Sequence, residues 1–311
     1  MTCSAKHIQQ MIDRIVEIAN PAELSVRLDQ LVIATEVAPA VSTPLSELGV
    51  LLIAHPRVTM TQAVLSRIAA NGGTVVTCDE SYLPVAMLLP IQVHYIQSER
   101  FAKQTQMTLP LRKRLWKTII QAKIRAQGFL LKELQGNDGG LIPMSGRVQS
   151  GDKGNLESGA ARRYWPMVFG NPKFRRGGIG PDQNRHLDYG YTVLRALTAR
   201  ALCAAGLHPS IGIRHQNRYD PFSLAADLME PFRPLVDRRV FEWIQENDPE
   251  GPLDREARGW LLGILTDRYL AEGEQRMLSD LLARSADGLA RAICGEEAPF
   301  IVPDHLTPCA E

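Results

Sequence analysis

The chain has 311 residues, of which 45% are hydrophobic and 22% charged, with a net charge of +1. Those fractions are ordinary for a soluble globular protein and exclude collagen-like, long coiled-coil and mainly disordered classes. The length predicts about two domains, and the absence of any run of 18 or more apolar residues predicts no transmembrane helix. The N-terminal MTCSAKHIQQMIDR lacks the apolar core of a signal peptide, so a cytoplasmic location is expected.

The first ninety or so residues read mainly as strands. RIVEIAN (14–20) alternates apolar and polar residues. ELSVRLDQLVIAT (23–35) does so around Asp29-Gln30, as a short hairpin would. GVLLIAH (49–55) is a continuous apolar run, as expected of a strand covered on both faces. Residues 61–71 have helical spacing and end at Gly72-Gly73, and TVVTCD (74–79) and PVAMLLPI (84–91) read as two further strands. From about residue 96 the period changes to that of a helix. Leu111–Leu134 is predicted as one long amphipathic helix with Leu115, Ile119, Ala122, Ala126 and Leu130 on a single stripe. Residues 135–154 read as a glycine-rich loop. Helices are predicted at about 155–169, 184–206, 222–230, 234–247, 256–271 and 273–294, and the tail from Gly295 as irregular or mobile. The fold class is therefore α+β: a small β-rich N-terminal domain with one helix over 1–95, then an all-α domain over 96–311.

Charge is unevenly spread. Pro90 to Arg176 carries 16 Lys/Arg against 5 Asp/Glu, and Val240 to Glu311 carries 6 against 15. A basic block ahead of an acidic one suits a polyanion-binding surface, although solvated helix faces would also account for it. The five cysteines, Cys3, Cys78, Cys203, Cys294 and Cys309, form neither a CxxC pair nor a zinc-like cluster, which fits unpaired, mostly buried thiols in a reducing compartment.

Several segments could carry chemistry. GRVQSGDKG (146–154) has glycine spacing and a lysine, but Gly154 and Asn155 follow Lys153 where a phosphate loop requires Ser or Thr. In GNLESGAARRYW (154–165), Asn155 can cap a helix whose first turn holds Glu157. That carboxylate is either favoured there by the helix dipole or part of a site. Ala160, Ala161 and Tyr164 share its face, and Arg162 and Arg163 flank it. In GLHPSIGIRHQNRYDPFSLAADLMEPFRPLVD (206–237), His208 and His215 sit in a loop ahead of a helix carrying Asp227 and Glu230 at i, i+3. The apolar surroundings of those carboxylates suggest a partly buried site. Carboxylate with imidazole suits a divalent cation beside a phosphate, whereas either histidine alone also reads as a hydrogen-bonded structural residue.

Taken together, NLESGAARRYW, NRHLDYGYTVLRALTARALCAAGL and HPSIGIRHQNRYDPFSLAADLMEPFRPLVD resemble the CRISPR-associated integrase of the spacer-acquisition complex, most like its type II members. VLLIAHPRVTMTQAVLSRIAANGGTVVTCDESYLPVAMLLP is similar to that family's small β domain, so the resemblance covers nearly the whole chain beyond residues 1–12. It implies a homodimer made through the N-terminal domain and a helical catalytic domain. It also implies a Mg²⁺ or Mn²⁺ site formed by Glu157, His215 and Glu230, with Asp227 as an accessory acidic position. His215, rather than His208, matches the family's histidine. The implied activity is that of a metal-dependent DNA endonuclease and integrase, which inserts spacer DNA by 3′-hydroxyl transesterification. Two alternatives stay open: a metal-dependent nuclease that resolves branched DNA, and a non-catalytic DNA scaffold. The implied partners are double-stranded DNA, a second copy of the chain, the small second subunit of the adaptation complex and the type II RNA-guided effector nuclease. Lys153, Arg162, Arg163, Arg175 and Arg176, chosen for their nearness to Glu157 in sequence, are the expected phosphate contacts.

Overall fold

The computed structural model describes residues 14–80, 84–90, 94–177, 182–214, 220–271, 273–297 and 299–309. The N-terminal part holds two four-stranded sheets. One is ordered β1-β5-β7-β8, from β1 (Arg14–Ile18), β5 (Leu48–Ile53), β7 (Thr74–Cys78) and β8 (Pro84–Leu88). The other is ordered β4-β3-β2-β6, from β2 (Ala22–Arg27), β3 (Gln30–Ala34), β4 (Val41–Pro44) and β6 (Val58–Met60). Helix α1 (Gln62–Ala70) packs between them through Val64 and Ile68. The predicted hairpin is present, turned at Leu28-Asp29, where both residues have positive φ, one position before the expected pair. Strands β4 and β6 are additions to the prediction; they are short and lack a clean alternation.

The apolar run of β5 is buried along its whole length. Leu51 and Ile53 point into the N-terminal core with Leu24, Val64 and Ile68, while Val50 and Leu52 join Val76 in the core shared with the helices. A strand with core on both faces has no polar side, so its sequence is uniformly apolar rather than alternating.

The helical part begins with α2 (Gln97–Thr105) and α3 (Leu109–Gln135), followed by α4 (Leu141–Ser145), α5 (Leu156–Val168) and α6 (Asn184–Ala204). Then come α7 (Ser223–Met229), α8 (Arg233–Glu246) and α9 (Arg255–Leu262). Every residue of the predicted α3 stripe is buried, and Gly136, at φ +70°, ends that helix in the left-handed conformation a Cβ disfavours. Helix α6 is apolar on most of its circumference and lies at the centre of the domain. At Gly190 a Cβ would stand 2.5 Å from Val236 Cγ1, so glycine there permits the close approach of α8.

Two expectations toward the C-terminus are corrected. The helix predicted over 256–271 stops at Leu262, and the one predicted over 273–294 starts only at Leu278. Between them lie β9 (Arg268–Ala271) and β10 (Glu274–Met277), an antiparallel pair, before α10 (Leu278–Cys294). In β9 burial alternates with period two, with Tyr269 and Ala271 inside, and Gly273 at φ +82° makes a helix through this point unfavourable. Over its described residues the tail is irregular apart from β11 (Thr307–Pro308), as expected, yet it is fastened to the domain: β11 pairs with β9, Val302 is buried, and His305 stacks on Phe129 of α3 at 4.0 Å between ring centroids. Asp304 pairs with Arg125 of the same helix.

Cys78, Cys203, Cys294 and Cys309 are free thiols, of which Cys203 is buried and the other three half-buried; Cys3 lies outside the described residues. Among the described residues no helix is long and apolar enough to cross a membrane.

Candidate active site

Glu157 stands in the first turn of α5. Asn155 has φ +49° and its side chain makes no capping bond, which corrects the sequence expectation. The cap is Asp152, whose two carboxylate oxygens accept the N–H groups of Leu156 at 2.9 Å and Glu157 at 3.1 Å. Two of the helix's orphan donors are thereby satisfied, and the backbone of Glu157 is held by a group outside the helix. Glu230 follows α7 in a single 3-10 turn, Glu230–Phe232, whose three residues are all buried.

These two carboxylates meet. Lys123 Nζ lies 2.6 Å from Glu157 Oε1 and 2.6 Å from Glu230 Oε2. Arg233, at the start of α8, reaches the other oxygen of Glu230 at 3.0 Å. The side chains of Lys123, Glu157 and Glu230 are 12%, 29% and 5% exposed, so the cluster is mostly out of water. Burial by itself would lower the Lys123 pKa, but Glu230 and then Glu157 reverse that and leave it raised, so the ammonium stays charged. Two carboxylates and two cations balance in a pocket where an isolated charge would be costly.

Asp227 serves a different target from Glu230. It is fully buried, and its Oδ2 accepts the N–H groups of Ile213 at 2.6 Å and Arg214 at 3.0 Å. It thus ties down the backbone immediately before His215, which lies outside the described residues. His208 is elsewhere: its ring packs against Phe101, its Nδ1 lies 2.8 Å from Ser210 Oγ, and Gln104 of α2 binds its backbone.

Behind Glu157 and Glu230 is a layer of residues, of which Asp237, Tyr191 and Arg233 were not singled out in the sequence and Arg176 was expected in another role. Tyr164, one helical face down from Glu157, donates its hydroxyl to Asp237 Oδ2 at 2.6 Å, and Tyr191 donates to Oδ1. Arg233 lies over the Tyr191 ring at 4.7 Å and Arg176 over the same ring at 5.1 Å. Burial raises the Asp237 pKa from 3.8 to about 6 against the opposing pull of the tyrosine hydrogen bonds and the nearby arginines. Lys123 itself was legible in principle, because it sits among Ile119, Ile120, Ala126 and Leu130 on the buried stripe of α3. A lysine on such a face needs a partner.

Of the expected phosphate contacts, Lys153, Arg162, Arg163 and Arg175 are exposed. Arg162 bonds Ser158 at 2.9 Å and Arg175 the carbonyls of Pro172 and Phe174. Arg176 is half-buried, pairs with Asp188 and binds Asn184, so it braces the core around Tyr191.

Among the described residues no third His, Cys, Asp or Glu joins the two carboxylates. Even so, the residues fit a divalent cation. Two carboxylate oxygens from separate elements converge on one point already occupied by positive charge, and oxygen donors of this kind suit Mg²⁺ or Mn²⁺.

Known proteins share both sequence and fold with this chain. The family model described as CRISPR associated protein Cas1 matches residues 155–262, a stretch that contains Glu157, His215, Asp227 and Glu230. The CRISPR-associated endonuclease Cas1 of Neisseria meningitidis serogroup C is 36% identical over 86% of this chain and 86% of its own length. The chain belongs to the Cas1 family. The CRISPR-associated endonuclease Cas1 2 of Pyrobaculum aerophilum is 34% identical over 44% of the chain and 47% of its own length. Among solved structures, a CAS1 protein from Thermotoga maritima superposes with a TM-score of 0.74 at 17% identity, covering 92% of this chain and 98% of that one. A casposase bound to an integration product gives 0.73 at 19% identity, covering 94% and 93%. Both share the fold, a β-rich N-terminal region followed by a helical one.

Proposed function

We propose that this Cas1 family member is a metal-dependent DNA endonuclease and integrase that joins the 3′-hydroxyl of a spacer to a phosphodiester at the boundary of a CRISPR repeat. The observation that carries the reading is the meeting of Glu157 and Glu230 at one cationic point, with Asp227 holding the backbone of Ile213 and Arg214, the two residues that precede His215 in sequence. Glu157, Glu230 and His215 would hold Mg²⁺ or Mn²⁺, which lowers the pKa of an oxygen nucleophile and offsets charge on the phosphorus oxygens. The chain's own residues orient that centre. Asp152 fixes the backbone of Glu157, Asp227 fixes the backbone of Ile213 and Arg214, and Arg233 holds the second oxygen of Glu230. Exposed Lys153, Arg162, Arg163 and Arg175 neutralise backbone phosphates, which gives affinity with little sequence preference. Transesterification conserves the number of phosphodiester bonds, so no nucleotide triphosphate is required, in keeping with the unmatched phosphate loop.

The N-terminal domain over 1–95 makes the homodimer in this reading, and the basic helical domain engages DNA. A small second subunit as partner is supported by a relative of the same fold, which occurs in a Cas6-RT-Cas1–Cas2 complex.

Strand transfer into a supercoiled repeat plasmid tests the proposal. Glu157→Ala, His215→Ala and Glu230→Ala each abolish cleavage and joining with Mn²⁺ while DNA binding stays within about threefold, because affinity comes from the basic surface. His208→Ala, whose ring packs on Phe101, retains activity. Full activity of both glutamate variants would end this reading.

A further inference from the structure

We infer that Lys123 is a resident counter-cation that holds Glu157 and Glu230 together in the metal-free protein and gives up its place when a divalent cation binds. The inference rests on reading those two glutamates as cation ligands. Lys123 Nζ is 2.6 Å from one oxygen of each. Arg233 engages the opposite oxygen of Glu230, so Lys123 is the group that joins the two carboxylates.

Two arguments give Lys123 this role. The first is electrostatic. Glu230 is almost wholly buried and Glu157 is largely so, and two carboxylates this near one another repel unless a positive charge lies between them. Glu157 comes from α5 and Glu230 from the turn after α7, and α3 lies against both of those segments. A cation on α3 therefore fixes the spacing of two otherwise independent elements. The second argument is exclusion. A cation bound to the same two oxygens, at roughly 2.1 Å from each, would occupy nearly the position of Nζ. Two positive charges do not share that point, so one must leave. Lysine suits the exchange, because its ammonium is a compact charge on a flexible four-carbon stem whereas α3 itself is packed in the core.

A further consequence distinguishes this role from ordinary packing. A purely structural lysine, once removed, would lower every binding property of the site together. A competing counter-cation, once removed, weakens the metal-free fold but strengthens metal binding.

The experiment uses the full chain with Lys123→Met, Lys123→Gln and Lys123→Arg, titrated with Mn²⁺ and followed by the electron paramagnetic resonance of the free ion. Thermal melts in EDTA and in Mn²⁺ accompany it. Lys123→Met is expected to bind Mn²⁺ about tenfold more tightly than the parent, since a like charge is removed from the cation's position. It melts lower in EDTA and regains the loss when Mn²⁺ is added. Lys123→Arg keeps the charge and stays near the parent in both measurements. Lys123→Gln, which keeps a polar end, carries the same comparison should the methionine variant fail to fold. Equal or weaker Mn²⁺ binding by the neutral variants, with the parent binding normally, overturns the counter-cation role. If neither parent nor variants bind Mn²⁺, the assignment of the two glutamates as ligands fails, and the inference with it.

Discussion

Asp237 shows how burial, rather than charge pairing, sets the behaviour of a single residue behind the site. Its carboxyl has a pKa of about 6 in the folded chain against 3.8 ordinarily. Between those values the folded protein holds a proton that the unfolded chain has lost. Its contribution to stability is thus fully present below about pH 4 and disappears as pH rises through 6, by up to about 3 kcal/mol. Asp237→Asn removes the titrating group. Urea unfolding at pH 4.5 and pH 7 should show the parent losing stability relative to this variant as pH rises. A constant difference would mean that Asp237 is charged throughout. The motif containing Glu157 and the helix containing Glu230 were readable because an acidic residue stood out among small or apolar neighbours. Asp237 was not, because Arg238, Arg239 and Glu242 surround it in sequence and disguise it as part of a solvated helix face.

At the scale of elements, the start of α5 decides whether Glu157 is held in place. Asp152 caps two N–H groups, one of them that of Glu157 itself. Asp152→Ala should cost about 1–2 kcal/mol in stability. It should also reduce cleavage more than tenfold at unchanged DNA affinity, because a misplaced catalytic group loses far more rate than binding. Asp152→Asn, which retains one acceptor, should recover part of both losses in the same assays. Sequence reasoning placed the helix correctly but gave the cap to Asn155. The capping residue sits one turn farther back and reaches the helix only because Asp152 and Asn155 both take up left-handed conformations. The β9–β10 hairpin was hidden for a related reason. RYLA and EQRM are too short to display their alternation against the strongly helical patterns on either side, and pairing with the tail, a contact distant in sequence, completes the sheet.

Across the whole molecule, the β-rich and helical parts are joined by polar contacts as well as by a continuous core. Arg258 of α9 is 3% exposed and binds Glu17 of β1 at 2.8 Å, across 241 positions of sequence. It also reaches the carbonyl of Leu253. Nearby, burial pushes the Cys78 thiol up to about 12, so that residue behaves as an inert apolar group. Arg200 of α6 adds a bond to the carbonyl of Gly72 at 2.7 Å. Breaking one partner of such a buried pair leaves the other charge uncompensated, and Arg258→Met should lower stability by about 3–5 kcal/mol in chemical denaturation. The double variant with Glu17→Gln should recover much of that loss. No local pattern announces a pair this distant, so the fastening of the β-rich part to the helical one was not legible in the sequence.

The two glutamates that meet at Lys123 are 73 positions apart, and that spacing has a consequence for how the protein is made. A ribosome adding about 5–20 residues per second delivers Glu230 roughly 4–15 s after Glu157. Early in that interval, once Arg176 has been added, the nascent chain carries Lys123, one carboxylate and the complete basic block. It has the positive charge to attract a polyanion but no carboxylate pair to offer a divalent ion. A message cut short before codon 230 would encode a chain that keeps the basic block and Glu157 but lacks the second carboxylate.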